Sequence, residues 1–277
     1  MTNEFTARDI EAFRPNEQVA LVATVNPEGK PHISLLTSLL AMDGNHMALG
    51  ECSAGLSKVH MQIDHRCGFL IMTLDRKLWR GRARWTSKAT EGPEYEMFNR
   101  MPMFRYNTYF GINTVHYLDL VDTTGEESLP LGAIVRGALG ARLAKGGAST
   151  GSPQPVLNNM AMEIFNRLDS LKFLSYINGQ GYPVIIPVLP CQAADSTRLV
   201  LPRGGYGDEL ALIPEGANVA VFGLTLQMED VLVRGIFNGF SRYRGMSMGT
   251  VDVDWVYNSM PPVHGQVYPV PSLAEIF

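Results

Sequence analysis

Two stretches of this chain, 152 residues apart, read alike: Leu21-Val-Ala-Thr-Val-Asn-Pro-Glu-Gly29-Lys-Pro31 and Phe173-Leu-Ser-Tyr-Ile-Asn-Gly-Gln-Gly181-Tyr-Pro183. In each, an apolar, β-rich run meets an Asn/Gly turn and resumes in a second strand-like run, His32 to Leu40 and Val184 to Leu189, which is the signature of a hairpin. Further features follow in the same order. A polar turn and strand come next (Asp43 to Leu49; Asp195 to Leu201), then a strand (Gly68 to Thr73; Asn218 to Gly223), then a Leu-x-Arg-Gly tetrapeptide (Leu78 to Gly81; Leu232 to Gly235). A helical stretch precedes each copy, Thr6 to Phe13 and Val156 to Leu171. Hairpins everywhere reuse turn glycines and prolines, but chance does not account for an ordered series of this kind. Two copies of one β-module are expected.

Between the copies, Leu131 to Lys145 is rich in Ala, Leu and Arg and looks helical, and Gly146 to Pro153 has the composition of a flexible linker. The expected division is a first module at 1–128, a helical connector and linker at 129–155, and a second module at 156–277. The chain has 277 residues, 45% of them hydrophobic and 18% charged, enough to bury sizeable cores without metals or disulfides. Its net charge of −4, with basic residues scattered among acidic ones, argues against a nucleic-acid partner. Cys52, Cys67 and Cys191 form no Cys-x-x-Cys pair and read as free thiols of a reducing compartment. Met1 to Arg14 is polar, and no run approaches the roughly 20 apolar residues of a membrane helix. Cytoplasmic residence without a membrane partner is the expectation.

Chemistry concentrates between Leu49 and Arg66, where a strand ends in a small, hydroxyl-rich loop and a short helix begins with Leu56, Val59 and Ile63 on one face. A helix start offers backbone N–H groups and a positive dipole end, and Ser53, Ser57 and Lys58 add hydroxyls and a full charge. Together they make an anion cradle. Taken alone, Ser57-Lys58 is an ordinary cap followed by a solvated lysine.

The ordered set does more than the pair. The hairpin with Gly29 and Pro31, the following strand to Thr37 and Ser38, the Ser57-Lys58 helix leading to Asp64-His65-Arg66, and the strand Trp79-Arg-Gly81-Arg-Ala83 resemble the pyridoxamine-phosphate-oxidase-like, FMN-binding split-barrel family. The resemblance is good over residues 15 to 122 and looser over 170 to 268. It implies a mainly β fold of two antiparallel Greek-key split β-barrels with flanking helices. It also implies FMN on the first module, touched by Ser34, Leu36, Thr37 and Ser38 along the ring, by Gly50, Glu51, Cys52 and Ser53 in the loop, by Ser57 and Lys58 at the phosphate, and by Trp79. FMN is expected rather than FAD because the chain has one anion site and no Gly-x-Gly-x-x-Gly fingerprint. Members that oxidise pyridoxamine phosphate carry an Arg and a Lys on the ring-flanking strand, where this chain has Ser34 and Leu39, so the substrate stays open.

The implied activity is hydride transfer through flavin to a small-molecule redox substrate. The alternative is a flavin- or haem-binding protein without turnover, since a haem needs only one axial His. In the second module Asp208 and Glu209 stand near the positions of Ser57 and Lys58 and would repel a phosphate, and Arg203 is the one nearby cation. That module, or a second copy of the chain in a homodimer, is expected to cover the flavin ring. His32, His46, His60, His65, His116 and His264 include no His-x-x-x-His pair, so no metal is expected. Met97 to Phe110, with Arg100 and Arg105, is a candidate pocket wall.

Overall fold

A computed structural model describes residues 1–14, 18–53, 55–101, 111–152, 154–258 and 265–269. The chain divides into two compact units, Met1–Leu129 with Ile177–Ile185, and Pro130–Tyr176 with Ile186–Phe277. From the N-terminus run α1 (Ala7–Ala12), β1 (Gln18–Val25), β2 (Pro31–Leu35), β3 (Leu40–Ala41), β4 (His46–Glu51), α2 (Leu56–Ile63), β5 (Arg66–Thr73), β6 (Lys77–Ala89), α3 (Pro93–Arg100), β7 (Thr114–Thr123) and β8 (Glu127–Ser128). Their strands form an antiparallel sheet in the order β2-β1-β5-β6-β7-β4-β3, with β8 on β6.

The later elements are α4 (Leu131–Ala148), α5 (Asn159–Asn166), β9 (Leu171–Ile177), β10 (Pro183–Pro187), β11 (Gln192–Ala193), β12 (Arg198–Pro202), α6 (Gly207–Leu210), β13 (Asn218–Leu224), β14 (Asp230–Tyr243), β15 (Met246–Asn258) and β16 (Gly265–Tyr268). Their sheet runs β10-β9-β13-β14-β15-β12-β11, with β16 on β15. Along this path the order is that of the first sheet; the eighth strand differs, since β16 lies on β15, the counterpart of β7, whereas β8 lies on β6. The fold is two antiparallel split barrels, as expected.

The turns show why the repeat was visible. The Asn26 side chain accepts from the backbone N–H groups of Glu28 (3.0 Å) and Lys30 (2.8 Å), and Asn178 does the same for Gln180 and Tyr182 (both 3.0 Å). Gly29 and Gly181 take φ of 74° and 81°, a region that a side chain would strain. The ladder refines the alignment: Gly68 lies opposite Ala23 and Ala220 opposite Ser175, a constant spacing of 152. The strings matched as Gly68 with Asn218, and as Leu78 with Leu232, are therefore each slipped by two residues. A slip of two keeps every side chain on its own face of the sheet, which is why the pattern survived it.

Two helical expectations are corrected. Only Asn159–Asn166 of the stretch Val156 to Leu171 is helical: the Asn158 side chain caps it by accepting from the Ala161 N–H (2.8 Å), and Leu171 already begins β9. The supposed linker glycines Gly146 and Gly147 belong to α4, which runs to Ala148 and packs on β11, β12 and β15. Composition signals a linker, but burial of a small-residue face holds these glycines helical.

In the first unit the core gathers Phe5, Phe13, Leu49, Phe69, Trp79 and Leu118. Thr6 and Asp9 form a reciprocal capping box at α1. Asp9 also accepts from the Trp79 indole N–H (2.8 Å), and Phe13 meets Trp79 edge-on at 4.9 Å. One carboxylate thus starts the helix and satisfies the only polar atom of the largest core side chain. Among the described residues no helix is long and apolar enough to cross a membrane. Burial pushes the Cys67 and Cys191 thiols up to about 12, so both are inert packing groups.

Candidate functional site

The candidate site lies where β2 and β4 end beside the start of α2. Ser34, on β2, brings its hydroxyl against that of Ser57, the second residue of α2. Beyond β2 the chain turns through Leu36, Thr37 and Ser38, and the Ser38 hydroxyl ties this turn to β4 by donating to the Gly50 carbonyl (2.7 Å). Glu51 closes β4, and Cys52 and Ser53 lead towards the helix. Gly55 is the N-cap of α2, with no side-chain cap, and the Lys58 N–H already donates back to the Gly55 carbonyl (3.1 Å).

Lys58 is 7% exposed. Its ammonium donates to the Ser53 carbonyl (2.7 Å), folding the loop back over the helix start. Burial holds the Lys58 pKa below the usual lysine range, opposed by the negative charge of Glu51 and by Cys52. The solvated lysine of the bland alternative is therefore not what forms. The structure brings Ser34, Ser38, Gly50, Glu51, Ser53, Ser57 and Lys58 into one connected group.

Glu51 is anchored from the side that sequence reasoning passed over. The His116 Nε2 lies 2.7 Å from its carboxylate, and the Trp85 indole N–H donates to His116 Nδ1 (3.1 Å). Indole is a donor only, so Nδ1 must accept, and the imidazole proton sits on Nε2, aimed at Glu51. Burial pulls the His116 pKa down, with Glu51 opposing, and a neutral ring is what this arrangement requires. The result is a directed chain, Trp85 to His116 to Glu51, that fixes a carboxylate next to a buried lysine. His116 was one of six unremarkable histidines in the sequence, and Trp85 carried no signal at all.

Other assignments end elsewhere. Trp79 is wholly buried with its N–H on Asp9, so it belongs to the core and does not join the cradle. Leu56, Val59 and Ile63 do share a face of α2, but it is the exposed one; the helix buries Ser57, Lys58, His60 and Met61. His60 sits beneath α2 beside Thr24 (3.3 Å) and edge-on to His32 (5.1 Å). Of the Met97 to Phe110 stretch, Phe98 is buried near Ile112 and Val115, while 102–110, including Arg105, lie outside the described residues, as does His264. An open cleft of about 590 Å³ adjoins the first hairpin, lined by residues that include Asn26, His65, Arg66 and Arg84. Among the described residues no group of three His, Cys, Asp or Glu side chains is placed to hold a metal.

The second unit fills the same positions differently. At the constant spacing, Ser34, Ser57 and Lys58 correspond to Ile186, Glu209 and Leu210, and the two apolar residues are fully buried. Arg203, the cation considered for that copy, lies over the Phe240 ring at 4.5 Å.

No family model matches this chain, and no curated protein matches it. Solved structures do. HupZ of Group A Streptococcus is 17% identical, with 45% of this chain and 99% of that one covered, at a TM-score of 0.36. An FMN-binding protein from Syntrophomonas wolfei is 14% identical, covering 43% and 84%, also at 0.36. A NimC/NimA family protein from Clostridium acetobutylicum is 14% identical, covering 45% and 90%, at 0.34. Each of these distant similarities spans less than half of this chain.

Proposed function

We propose that the first unit binds FMN, with the phosphate at Ser57 and Lys58 and the ring along Ser34 to Ser38, and that the chain acts as a flavin-dependent oxidoreductase on a small redox substrate. The observation that carries this reading is the buried ammonium of Lys58 beside paired serine hydroxyls at a helix start without a side-chain cap. A buried lysine carries a desolvation cost, which an anion held at its remaining donors would offset. The Ser53 carbonyl takes one of its three donors, and phosphate oxygens are suited to the others. The fit is specific to a terminal phosphate, because the cradle is one loop and one helix start.

Bound FMN would supply the hydride chemistry itself. This chain's residues hold and orient it: Lys58 and Ser57 bind the charged end, Ser34 and Ser38 set the strand edge along the ring, and the His116-anchored Glu51 keeps Lys58 in place. Titrating the apo-protein with FMN, followed by flavin fluorescence, tests the site. One FMN per chain is expected, and Lys58→Ala should weaken binding about 10- to 150-fold, the worth of a charged hydrogen bond. Two FMN per chain, or unchanged affinity in that variant, would overturn it. Bleaching of the bound flavin by NADH or NADPH, with reoxidation by an added acceptor, tests the redox activity.

A further inference from the structure

Helix α4 packs on its own sheet through small residues. Gly137 lies against Pro190 and Pro202, Gly140 against Met246 and Met248, and Ala141, Ala144 and Ala148 are buried. Four of its five large apolar side chains are on the other side, Ile134 being half-buried. Leu131, Val135, Leu139 and Leu143 recur every fourth residue and are 45, 60, 60 and 61% exposed. A helix that served only its own sheet would carry the opposite pattern.

The charge carried by this helix is of one sign. Between Leu131 and Ala148 there is no acidic residue, while Arg136, Arg142 and Lys145 are present. Exposed Arg242 and Arg244 at the β14–β15 turn extend the patch, with Arg244 donating to the Leu143 carbonyl (3.4 Å). Asp195, beyond the helix end, is engaged by Ser149, Thr150 and Thr197. In a chain of net charge −4 this is a local reversal.

We propose that α4 lies in the interface of a bilayer containing anionic lipids, with the Leu/Val stripe among the acyl chains and the arginines at the headgroup phosphates. A second copy of the chain suits this face less, because pairing it with itself sets cations against cations. The expectation of no membrane partner rested on the lack of a run long enough to span, and an interfacial helix needs no more than a stripe.

The test uses the intact protein, sedimented with vesicles of phosphatidylcholine alone or with phosphatidylglycerol added. Binding is expected only with phosphatidylglycerol, to weaken with salt, and to fall about tenfold or more in Val135→Asp/Leu139→Asp and in Arg136→Glu/Arg142→Glu. These positions are exposed, so both variants should keep the wild-type circular dichroism. No binding to either vesicle, equal binding to both, or wild-type binding by both variants overturns the proposal. So does a wild-type dimer, seen by light scattering, that Val135→Asp/Leu139→Asp converts to monomer, since the stripe would then belong to a second copy.

Discussion

The two barrels share strand order, turn chemistry and spacing, yet differ at almost every position of the candidate site. Ser34, Ser57 and Lys58 in the first correspond to Ile186, Glu209 and Leu210 in the second. By ladder register, Glu51, Trp85 and His116 correspond to Arg203, Phe237 and Gly249. The second barrel therefore closes with apolar filling at three of these positions, Ile186, Leu210 and Phe237, and at the others with a glycine and with two charged residues that are not buried. A buried lysine, a hydroxyl pair and a neutral histidine are not required to close the sheet, and each carries a desolvation cost. At these aligned positions the combination of lysine, hydroxyl pair and histidine stands in the first copy alone, which is the basis for proposing the ligand there.

The largest effect should come from making the first unit like the second. Ser34→Ile/Ser57→Glu/Lys58→Leu removes one charged and two neutral hydrogen bonds and adds a carboxylate, so FMN affinity should fall about a thousandfold by calorimetry. Retained binding would break the comparison. Next comes the buried lysine of the second unit, Lys172, whose counterpart is Ala20 and whose ammonium donates to the Arg167 carbonyl. Burial lowers its pKa from 10.5 to about 8. Between those values the unfolded chain binds more protons, so stability rises as pH climbs through that window. Lys172→Met should flatten the rise and stabilise the protein at pH 7 by about 1 to 3 kcal/mol, read from urea melts.

An effect of comparable size and opposite sign is expected at His116. Replacing it by Ala strands the Trp85 N–H and the Glu51 carboxylate and should cost about 1 to 3 kcal/mol. Because its folded pKa is lowered from 6.5, the stability linked to the neutral ring is present above that value and is lost as pH falls through the folded one. The variant should lose that acid limb, and an unchanged limb would assign it to other groups. The smallest effect sharpens the likeness of the two copies. Arg76 and Met228 occupy the same turn position with φ of 66° and 65°. Glycine at either should stabilise by about 0.5 to 1 kcal/mol and by the same amount in both, because it relieves the same strain.

Much of this molecule was legible because its signals are local. Asn26 and Gly29, like Asn178 and Gly181, build their turns from neighbouring atoms, so the hairpins could be read directly. The cradle was legible for the same reason: Ser53, Ser57 and Lys58 lie on one loop and one helical turn. Where composition replaced geometry the expectation failed, as with Gly146 and Gly147 in α4.

What tertiary structure decided is the rest of the site. Periodicity puts Leu56, Val59 and Ile63 on one face of α2, but nothing local says whether that face turns inward, and the packing buried the face with Lys58 instead. Trp79 and Asp9 are 70 residues apart, His116 and Glu51 65, and Trp85 and His116 31. The first exists because α1 packs on β6, the other two because β4, β6 and β7 pair in one register, and a hydrogen bond acts over about 3 Å of space however far apart its ends lie in sequence.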